Sequence, residues 1–390
     1  MKKIMGVALV AALVATSVFA QVSTSLEFRQ GINIADIDIK KDKDNVYNIF
    51  KQSHSPATNT TFSASTDHAG VNIELDFNLN TKEIEFGYLY GWFSVGGFKL
   101  TAGKYDSRFT DRLVKDRTRA LSLSKLFNEY GVQIPDDKSR SGGEHHINVD
   151  GTKKGDNMTN GSDLATIADY TFDLDFAKLL VKGALFTPEF NSIMKSGFGF
   201  EAAFQMDLFT IDFAVKFPTA YNTSLGLYFQ MKPVDLLQFA IGATLGIVSA
   251  QDEKPLVYGI DGRVRLTPLD ALAITVHANF SGGVLSSDVV KNTEYWFGAV
   301  ANVTYDINDM FAIFGEAKYD GLNIVYTSIA GSLSKPVDKS GSVFAQLGTL
   351  IRPVENVKLA ASVQAEIPTK ATSGATVAKI SIPFVFDVSF

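Results

Sequence analysis

The sequence predicts an all-β fold, a transmembrane antiparallel up-and-down β-barrel of about 18 strands, with 16 as the alternative count. Three observations predict it. Apolar residues recur at every second position along most of the chain, short turns alternate with longer polar connections, and the chain ends on an alternating, aromatic-rich strand. After residue 20 no run approaches the roughly 18 consecutive apolar residues of a transmembrane helix. The remaining choice is between a protein that is soluble outside the cytoplasm and a barrel.

The composition excludes several classes of function. The chain has 390 residues, a formal net charge of −6 and no cysteine. Without cysteine there can be no disulfide framework, thiolate metal site or thiol nucleophile. The acidic balance argues against a nucleic-acid binder, which would carry a basic excess. We therefore expect no nucleic-acid partner and no cofactor.

Residues 1–20 are predicted to be a secretory signal peptide. Lys2 and Lys3 precede an apolar run from Ile4 to Ala15, and compact residues lead to Ala20. A basic start, a short apolar run and a small-residue cleavage site are typical of such signals, while an uncleaved membrane anchor is the alternative. Cleavage after Ala20 would leave residues 21–390 as one barrel domain.

A period of two defines the strands. From Val71 to Asn80 every odd-numbered residue is apolar and every even-numbered residue is polar or acidic. The same period recurs from Ile84 to Trp92, where it assigns Tyr90 and Trp92 to the apolar face. It returns in the segments Phe198–Phe217, Leu225–Leu245 and Leu272–Phe280. Alternation of this kind predicts strands with one apolar and one polar face, not amphipathic helices.

The apolar face of such strands needs a cover. The strands reach about ten residues, the length that a tilted transmembrane strand requires, and phenylalanine dominates their apolar face. A single helical stretch is predicted, from Asp111 to Tyr130, which is too little to cover so large a sheet. Outer-membrane lipid is therefore the expected cover.

The connections divide into two kinds. Lys232–Asp235, Thr267–Asp270 and Arg352–Glu355 share the form X-Pro-aliphatic-acid, which predicts tight hairpin turns. Longer polar connections are predicted at Ala35–Asn59, Asp106–Ser162, Thr187–Ser196, Ser281–Thr293, Gly331–Gly341 and Pro368–Ala378. Short turns on the periplasmic rim and long loops outside are typical of an outer-membrane barrel.

The polar faces predict a lumen lining. The candidate pore-lining residues are Glu201, Asp212, Lys216, Gln230, Gln238, Asp261, Arg263, Arg265 and His277. His277 is interpreted as a lining residue because the spacing fixes no acid and nucleophile at triad geometry around it. Adjacent His145 and His146 are weak evidence for a metal. We predict no catalytic site, no metal site and no enzymatic activity.

The C-terminal strand carries a family resemblance. Apolar side chains stand at alternate positions up to the terminal residue, at Phe384, Phe386, Val388 and Phe390. This pattern resembles the β-signal that the barrel assembly machinery recognises in bacterial outer-membrane proteins. Together with the signal peptide and the alternation, it makes residues 21–390 resemble the general porin family. The segment Tyr90–Lys104 is also loosely similar to spirochaete outer-membrane barrels.

The resemblance implies a passive outer-membrane channel for small hydrophilic solutes, and with it ion transport. It leaves open whether the channel is an oligomer. Two alternatives remain: a surface adhesin or antigen that uses the barrel to display loops, and a fatty-acid-type channel for hydrophobic substrates. A plug-bearing transporter is disfavoured because Val22–Ile34 already alternates, which leaves no room for a plug before the barrel.

The connection Asp106–Ser162 is much the longest in the chain. Between Lys104 and Arg119 it carries six bases and three acids, so this stretch is locally +3 in a chain of net −6. The candidate constriction residues are Arg108, Arg112, Lys115, Arg117 and Arg119. Folded into the lumen, they would favour anions. Outside the barrel, they would form a solvated surface feature, and the sequence does not choose between these two positions.

Overall fold

A computed structural model describes residues 21–78, 82–104, 164–187, 197–217, 222–248, 256–286, 290–320, 323–329, 332–333, 337–339, 341–369 and 373–390. Its strands are β1 (Gln21–Lys40), β2 (Val46–Ser65), β3 (Ala69–Asn78), β4 (Glu83–Val95), β5 (Phe98–Lys104), β6 (Leu164–Leu174), β7 (Ala177–Thr187), β8 (Gly197–Gln205), β9 (Phe209–Phe217), β10 (Asn222–Val234), β11 (Leu237–Val248), β12 (Leu256–Leu269), β13 (Leu272–Ser286), β14 (Val290–Asp306), β15 (Phe311–Asp320), β16 (Asn323–Ile329), β17 (Ser332–Leu333), β18 (Val337–Lys339), β19 (Ser342–Val354), β20 (Val357–Pro368) and β21 (Thr376–Ser389). In these residues no helix is long and apolar enough to cross a membrane.

The strands form one closed antiparallel sheet. Neighbours in sequence pair with one another, and β1 also pairs with β21 from Glu27↔Ser389 to Lys40↔Thr376. β15 and β16 lie end to end along β14, while β17, β18 and β19 lie end to end along β15 and β16. The 21 segments therefore occupy 18 positions around the ring. The predicted up-and-down barrel is confirmed.

Short turns gather on one rim and are tied to one another by backbone hydrogen bonds. Lys232 N–H donates to Leu208 O at 2.8 Å, and Thr267 N–H donates to Leu236 O at 2.8 Å. Each donor is the first residue of a predicted X-Pro turn, and the ladder shifts register around it, between Met231 and Val234 in β10 and between Leu266 and Leu269 in β12. Proline has no N–H for a ladder bond, so it fits at such an irregularity.

Several predicted loops are in fact strand. The connection expected at Ala35–Asn59 is mostly the paired upper ends of β1 and β2, whose ladder continues to Asp38↔Val46. Its polar residues misled the prediction, because some of them belong to an inner face. Ser281–Thr293 is likewise mostly β13 and β14, and Gly331–Gly341 contains β17 and β18. Three predictions lie outside the described residues: the signal peptide at residues 1–20, the long connection Asp106–Ser162 and the helix predicted within it at Asp111–Tyr130.

The two faces of the sheet differ in chemistry, as the alternation predicts. Phe200 is 43% exposed on the outer face, whereas its neighbour Glu201 is 0% exposed on the inner face. Phe213 and Asp212 repeat the same contrast on β9. Outer-face aromatic rings also contact one another from strand to strand, and the ring centroids of Phe229 and Phe239 lie 6.0 Å apart. Such an apolar exterior suits a lipid environment, where only a closed set of backbone hydrogen bonds is tolerated.

One predicted face is wrong. Ile73 pairs with Leu89 but Leu75 pairs with Phe86, so β4 carries one extra residue opposite β3. This bulge reverses the facing of everything after it in β4. Leu89, Phe93 and Val95 are therefore exposed on the outer face. Tyr90 and Trp92, assigned to the apolar face from the sequence, lie on the inner face.

Candidate functional site

The candidate site is the inner face of the barrel, and its most charged part lies on β6 to β9. Asp169, Lys182 and Glu201 stand in one row, each directly opposite the next. The Lys182 Nζ lies 2.9 Å from the Glu201 Oε2, and the two side chains are 4% and 0% exposed. Asp212 is also fully buried. We call Asp169, Lys182, Glu201 and Asp212 the charged wall; all four residues are buried, and Asp169, Lys182 and Glu201 face one another across neighbouring strands.

A neutral polar belt runs across β19, β20 and β21. The Gln364 Nε2 donates to the Gln346 Oε1 at 3.1 Å. The Ser381 Oγ donates to the Gln364 Oε1, also at 3.1 Å. All three residues are buried on the inner face, and the cross-strand bonds offset the cost of removing amides and a hydroxyl from water.

Ion pairs cross the seam where the first and last strands meet. Asp36 on β1 has a side chain 3% exposed; its Oδ2 lies 3.4 Å from the Lys51 Nζ on β2. Its Oδ1 lies 3.9 Å from the Lys379 Nζ on β21. The Lys40 Nζ adds a 2.6 Å hydrogen bond to the Thr376 Oγ1. These contacts join β1 to both of its neighbours.

An accessible part of the inner face lies on β10, β11 and β12. Gln230, Gln238 and Arg263 are half-buried, and Arg265 is exposed. Gln238 stands directly opposite Arg265, while the small Ala240 stands opposite Arg263. We call Gln230, Gln238, Arg263 and Arg265 the open wall. Its two guanidinium groups give it a local positive charge.

The other predicted lining residues are placed only by their backbone. His277 on β13 is directly opposite Arg263, and Asp261 on β12 is opposite Asn279. Lys216 on β9 is opposite Gly199. The side chains of these three residues lie outside what the structure describes, as do all five candidate constriction residues. Within the described ranges no group of three or more His, Asp or Glu residues could hold a metal ion.

The C-terminal strand occupies the closing position of the ring. Phe384, Phe386 and Val388 are half-buried and alternate with the buried inner-face residues Pro383, Val385 and Asp387. The backbones of Phe390 and Leu26 exchange two hydrogen bonds, at 2.7 and 2.8 Å. The ladder between β1 and β21 is irregular opposite Pro383, in β1 between Asn33 and Ala35.

An aromatic patch on β3 to β5 was missed from the sequence. Trp92 is directly opposite Gly70 on β3 and opposite the buried Thr101 on β5. The Lys99 Nζ lies 4.9 Å from the centroid of the Trp92 ring. One signal was available: the segment Tyr88–Val95 has large apolar residues in both parities, so period two alone could not fix its facing.

Comparisons with known proteins give the fold. No protein-family model and no curated protein matches the chain. Among solved structures, the anion-selective porin from Comamonas acidovorans aligns with a TM-score of 0.54 and 9% identity, over 95% of this chain and 100% of that chain. OccK3 (OpdO) of Pseudomonas aeruginosa aligns with a TM-score of 0.52 and 10% identity, over 95% and 96%.

A loop-deleted form of OmpT, an outer membrane protein of Vibrio cholerae, aligns with a TM-score of 0.51 and 11% identity, over 95% of this chain and 99% of that chain. The chain therefore has the porin-type fold of bacterial outer-membrane barrels. At these identities the likeness concerns the fold alone.

Proposed function

We propose that the protein is a passive outer-membrane channel for small hydrophilic solutes, and not an enzyme. The observation that carries the proposal is the closed sheet with apolar side chains outside and polar or charged side chains inside. Lipid outside and water inside are the two environments that such faces suit. Among its structural neighbours is a protein described as an anion-selective porin.

The open wall is a part of the inner face that a solute would meet. Arg265 is exposed, whereas Glu201 and Asp212 on the charged wall are fully buried. We therefore assign Gln230, Gln238, Arg263 and Arg265 to solute contact. Glu201 and Asp212 belong to the support of the barrel wall, although both were candidates for the lining. The exposed guanidinium group of Arg265 and the half-buried one of Arg263 favour anions through their positive potential.

The remaining assignments are proposals from the sequence. A signal peptide would direct export, and the strand ending in Phe384, Phe386, Val388 and Phe390 would direct insertion by the barrel assembly machinery. If the basic stretch with Arg108, Arg112, Lys115, Arg117 and Arg119 folds into the lumen, it adds to the anion preference of the open wall. If it lies outside, the inner face of the barrel sets selectivity without it.

Planar-bilayer recording tests the channel. The purified full chain should form discrete conducting steps, and the reversal potential in a salt gradient should show anion preference. The heat-modifiable shift on a gel gives the folded fraction of the same sample. An unfolded preparation can therefore be distinguished from a folded barrel that does not conduct. Folded barrel that inserts in the bilayer without conductance would contradict the proposal.

A display scaffold is the second candidate, and the burial of the inner face favours it. Leu180, Glu201 and Asp212 are all 0% exposed on inner-face positions, so part of the lumen is tightly packed. A wholly packed barrel would pass little current, which is the outcome that would select this candidate. A hydrophobic-substrate channel is disfavoured, because the inner-face apolar cluster around Phe314 and Leu350 is buried and offers no reachable surface.

A further inference from the structure

A cavity at the short-turn rim is a feature that the channel proposal does not use. It has a volume of about 580 Å³ and is lined by Gly96 and Gly97 in the turn between β4 and β5, by residues 170–174 of β6 and by Lys178 of β7. Small-molecule pockets usually have volumes of roughly 300–1,000 Å³. The rim cavity is therefore large enough for a small organic ligand.

The rim cavity exists because two neighbouring hairpins end at different heights. The Thr171 N–H of β6 donates to the Gly97 O of the lower turn at 2.9 Å. β6 continues past this bond and pairs with β7 up to Leu174↔Ala177. In an antiparallel ladder every second residue directs its backbone groups to the same neighbouring strand. Asp173 therefore directs its N–H over the lower turn, towards the rim cavity.

Two glycines keep the floor of the rim cavity free of side chains. Gly96 has a φ of +58°, and a Cβ atom there would meet nothing within 4 Å. A Cβ atom at Gly97 would collide with the Thr171 O, so this position accepts only glycine. The lower turn therefore borders the rim cavity with backbone alone.

One cation and one anion stand at the rim cavity. Asp173 and Lys178 are directly opposite each other, and the Asp173 Oδ1 lies 3.8 Å from the Lys178 Nζ, with side chains 77% and 57% exposed. So exposed a pair contributes little to stability, and both groups are accessible to a ligand. Asp175 in the next turn is also exposed, so two carboxylates stand near one ammonium. This balance favours a zwitterionic ligand over one with a net negative charge.

The outer face beside the rim cavity is apolar. Tyr170, Phe172 and Leu174 are all exposed there, and the ring centroids of Tyr170 and Phe172 lie 4.5 Å apart. Aromatic side chains near the rims of membrane barrels lie at the depth of the lipid headgroups. The rim cavity is therefore at headgroup depth, with an apolar surface next to it for acyl chains.

We propose that the rim cavity binds the headgroup of a zwitterionic phospholipid that carries an ammonium group, such as phosphatidylethanolamine, from the leaflet at the short-turn rim. The phosphate contacts the Lys178 Nζ and the Asp173 N–H, and the ammonium contacts the Asp173 carboxylate. The acyl chains lie along Phe172 and Leu174. The site does not depend on whether the barrel conducts.

Native mass spectrometry of the folded full chain tests the site. Dihexanoylphosphatidylethanolamine should bind with a lower half-saturating concentration than dihexanoylphosphatidylglycerol, which has the same chains and a net negative charge. Lys178→Gln should raise that concentration for the ethanolamine lipid about threefold to tenfold, through loss of a charge-assisted contact. Lys232→Gln is the matched control, because it removes an exposed lysine 2.9 Å from Asp235 at another short turn. It should leave the concentration unchanged.

Asp173→Asn distinguishes a headgroup contact from a structural effect. It removes the partner of the ligand ammonium and one repelling carboxylate, so it should weaken binding of the ethanolamine lipid and strengthen binding of the glycerol lipid. Equal weakening of both lipids would overturn the assignment of Asp173.

Three further outcomes would overturn the proposal. Equal affinity of the parent chain for the two lipids would rule out a zwitterionic site. Equal losses in Lys178→Gln and Lys232→Gln would place the lipid away from the rim cavity. Glycerophosphoethanolamine has the same headgroup without acyl chains and should bind much more weakly. If it binds as tightly as the lipid, the ligand of the rim cavity is a soluble solute.

Discussion

The charged wall and the open wall come from the same sequence pattern but differ in what surrounds them. Both present polar side chains inwards from adjacent stretches of one sheet. Lys182 and Glu201 face each other at 2.9 Å and are buried, whereas Arg265 faces Gln238 and is exposed. The difference shows that inward charges with the same sequence pattern can be buried or exposed. In these two pairs the buried charges face an opposite charge, whereas the exposed Arg265 faces an uncharged amide.

Breaking the charged wall should have the largest effect. Lys182→Met leaves the Glu201 carboxylate buried beside an apolar side chain, and removing one partner of a buried pair typically costs about 3–5 kcal/mol. We expect the urea midpoint for unfolding of the barrel in lipid vesicles to fall markedly. The heat-modifiable shift on a gel measures the folded fraction at each urea concentration. Arg265→Met removes the same charge from the open wall and should change the midpoint little.

The double variant Lys182→Met/Glu201→Leu sharpens this comparison. Replacing a whole buried pair with apolar residues is often close to neutral, so the double variant should recover the part of the lost stability that comes from Glu201. Asp169, which stands opposite Lys182, still lacks that partner. A single variant as stable as the parent would show that the pair is dispensable. A double variant no better than the single one would show that these charges have further partners essential to the wall.

Sequence reasoning could find the faces but not the surroundings of each side chain. Period two placed Glu201 and Asp212 inwards and Phe200 and Phe213 outwards, as observed. The period of two could not show that both carboxylates are buried. Burial depends on the residues opposite them on the neighbouring strand, and the register between two strands cannot be deduced from the sequence alone. Register depends on bulges, and one extra residue in β4 was enough to reverse the facing of Trp92.

The predicted loop lengths were wrong for a related reason. Polar residues between Ala35 and Asn59 suggested a connection, yet Asp36 and Lys51 form an ion pair on the inner face of paired strands. A polar stretch and an inward polar face look alike when the partner strand is not known. The positions of the short turns were predicted correctly, because proline and a nearby acid fix a local geometry that needs no distant partner.

Neutralising the open wall should change selectivity and leave stability almost unaltered. Arg263→Gln/Arg265→Gln removes two positive charges from the accessible part of the lumen, so the reversal potential in a salt gradient should move towards cations. The control Lys232→Gln removes an exposed charge at the short-turn rim, where Lys232 pairs with Asp235 at 2.9 Å. An equal shift in both variants would mean that total charge, and not the open wall, sets selectivity.

Cysteine accessibility is the mildest way to compare the two walls, because it changes neither charge nor much volume. The chain has no native cysteine, so Gln238→Cys and Ala203→Cys each introduce a single thiol on an inner-face position. Gln238 is half-buried on the open wall, whereas Ala203 is 0% exposed and directly opposite Asp212 beside the charged wall. A water-soluble maleimide should therefore label Gln238→Cys quickly and Ala203→Cys slowly in intact vesicles. The outer-face variant Phe213→Cys should stay unlabelled, because lipid excludes the reagent. Equal rates at positions 203 and 238 would mean that water reaches both walls, and the distinction between support and solute contact would then fail.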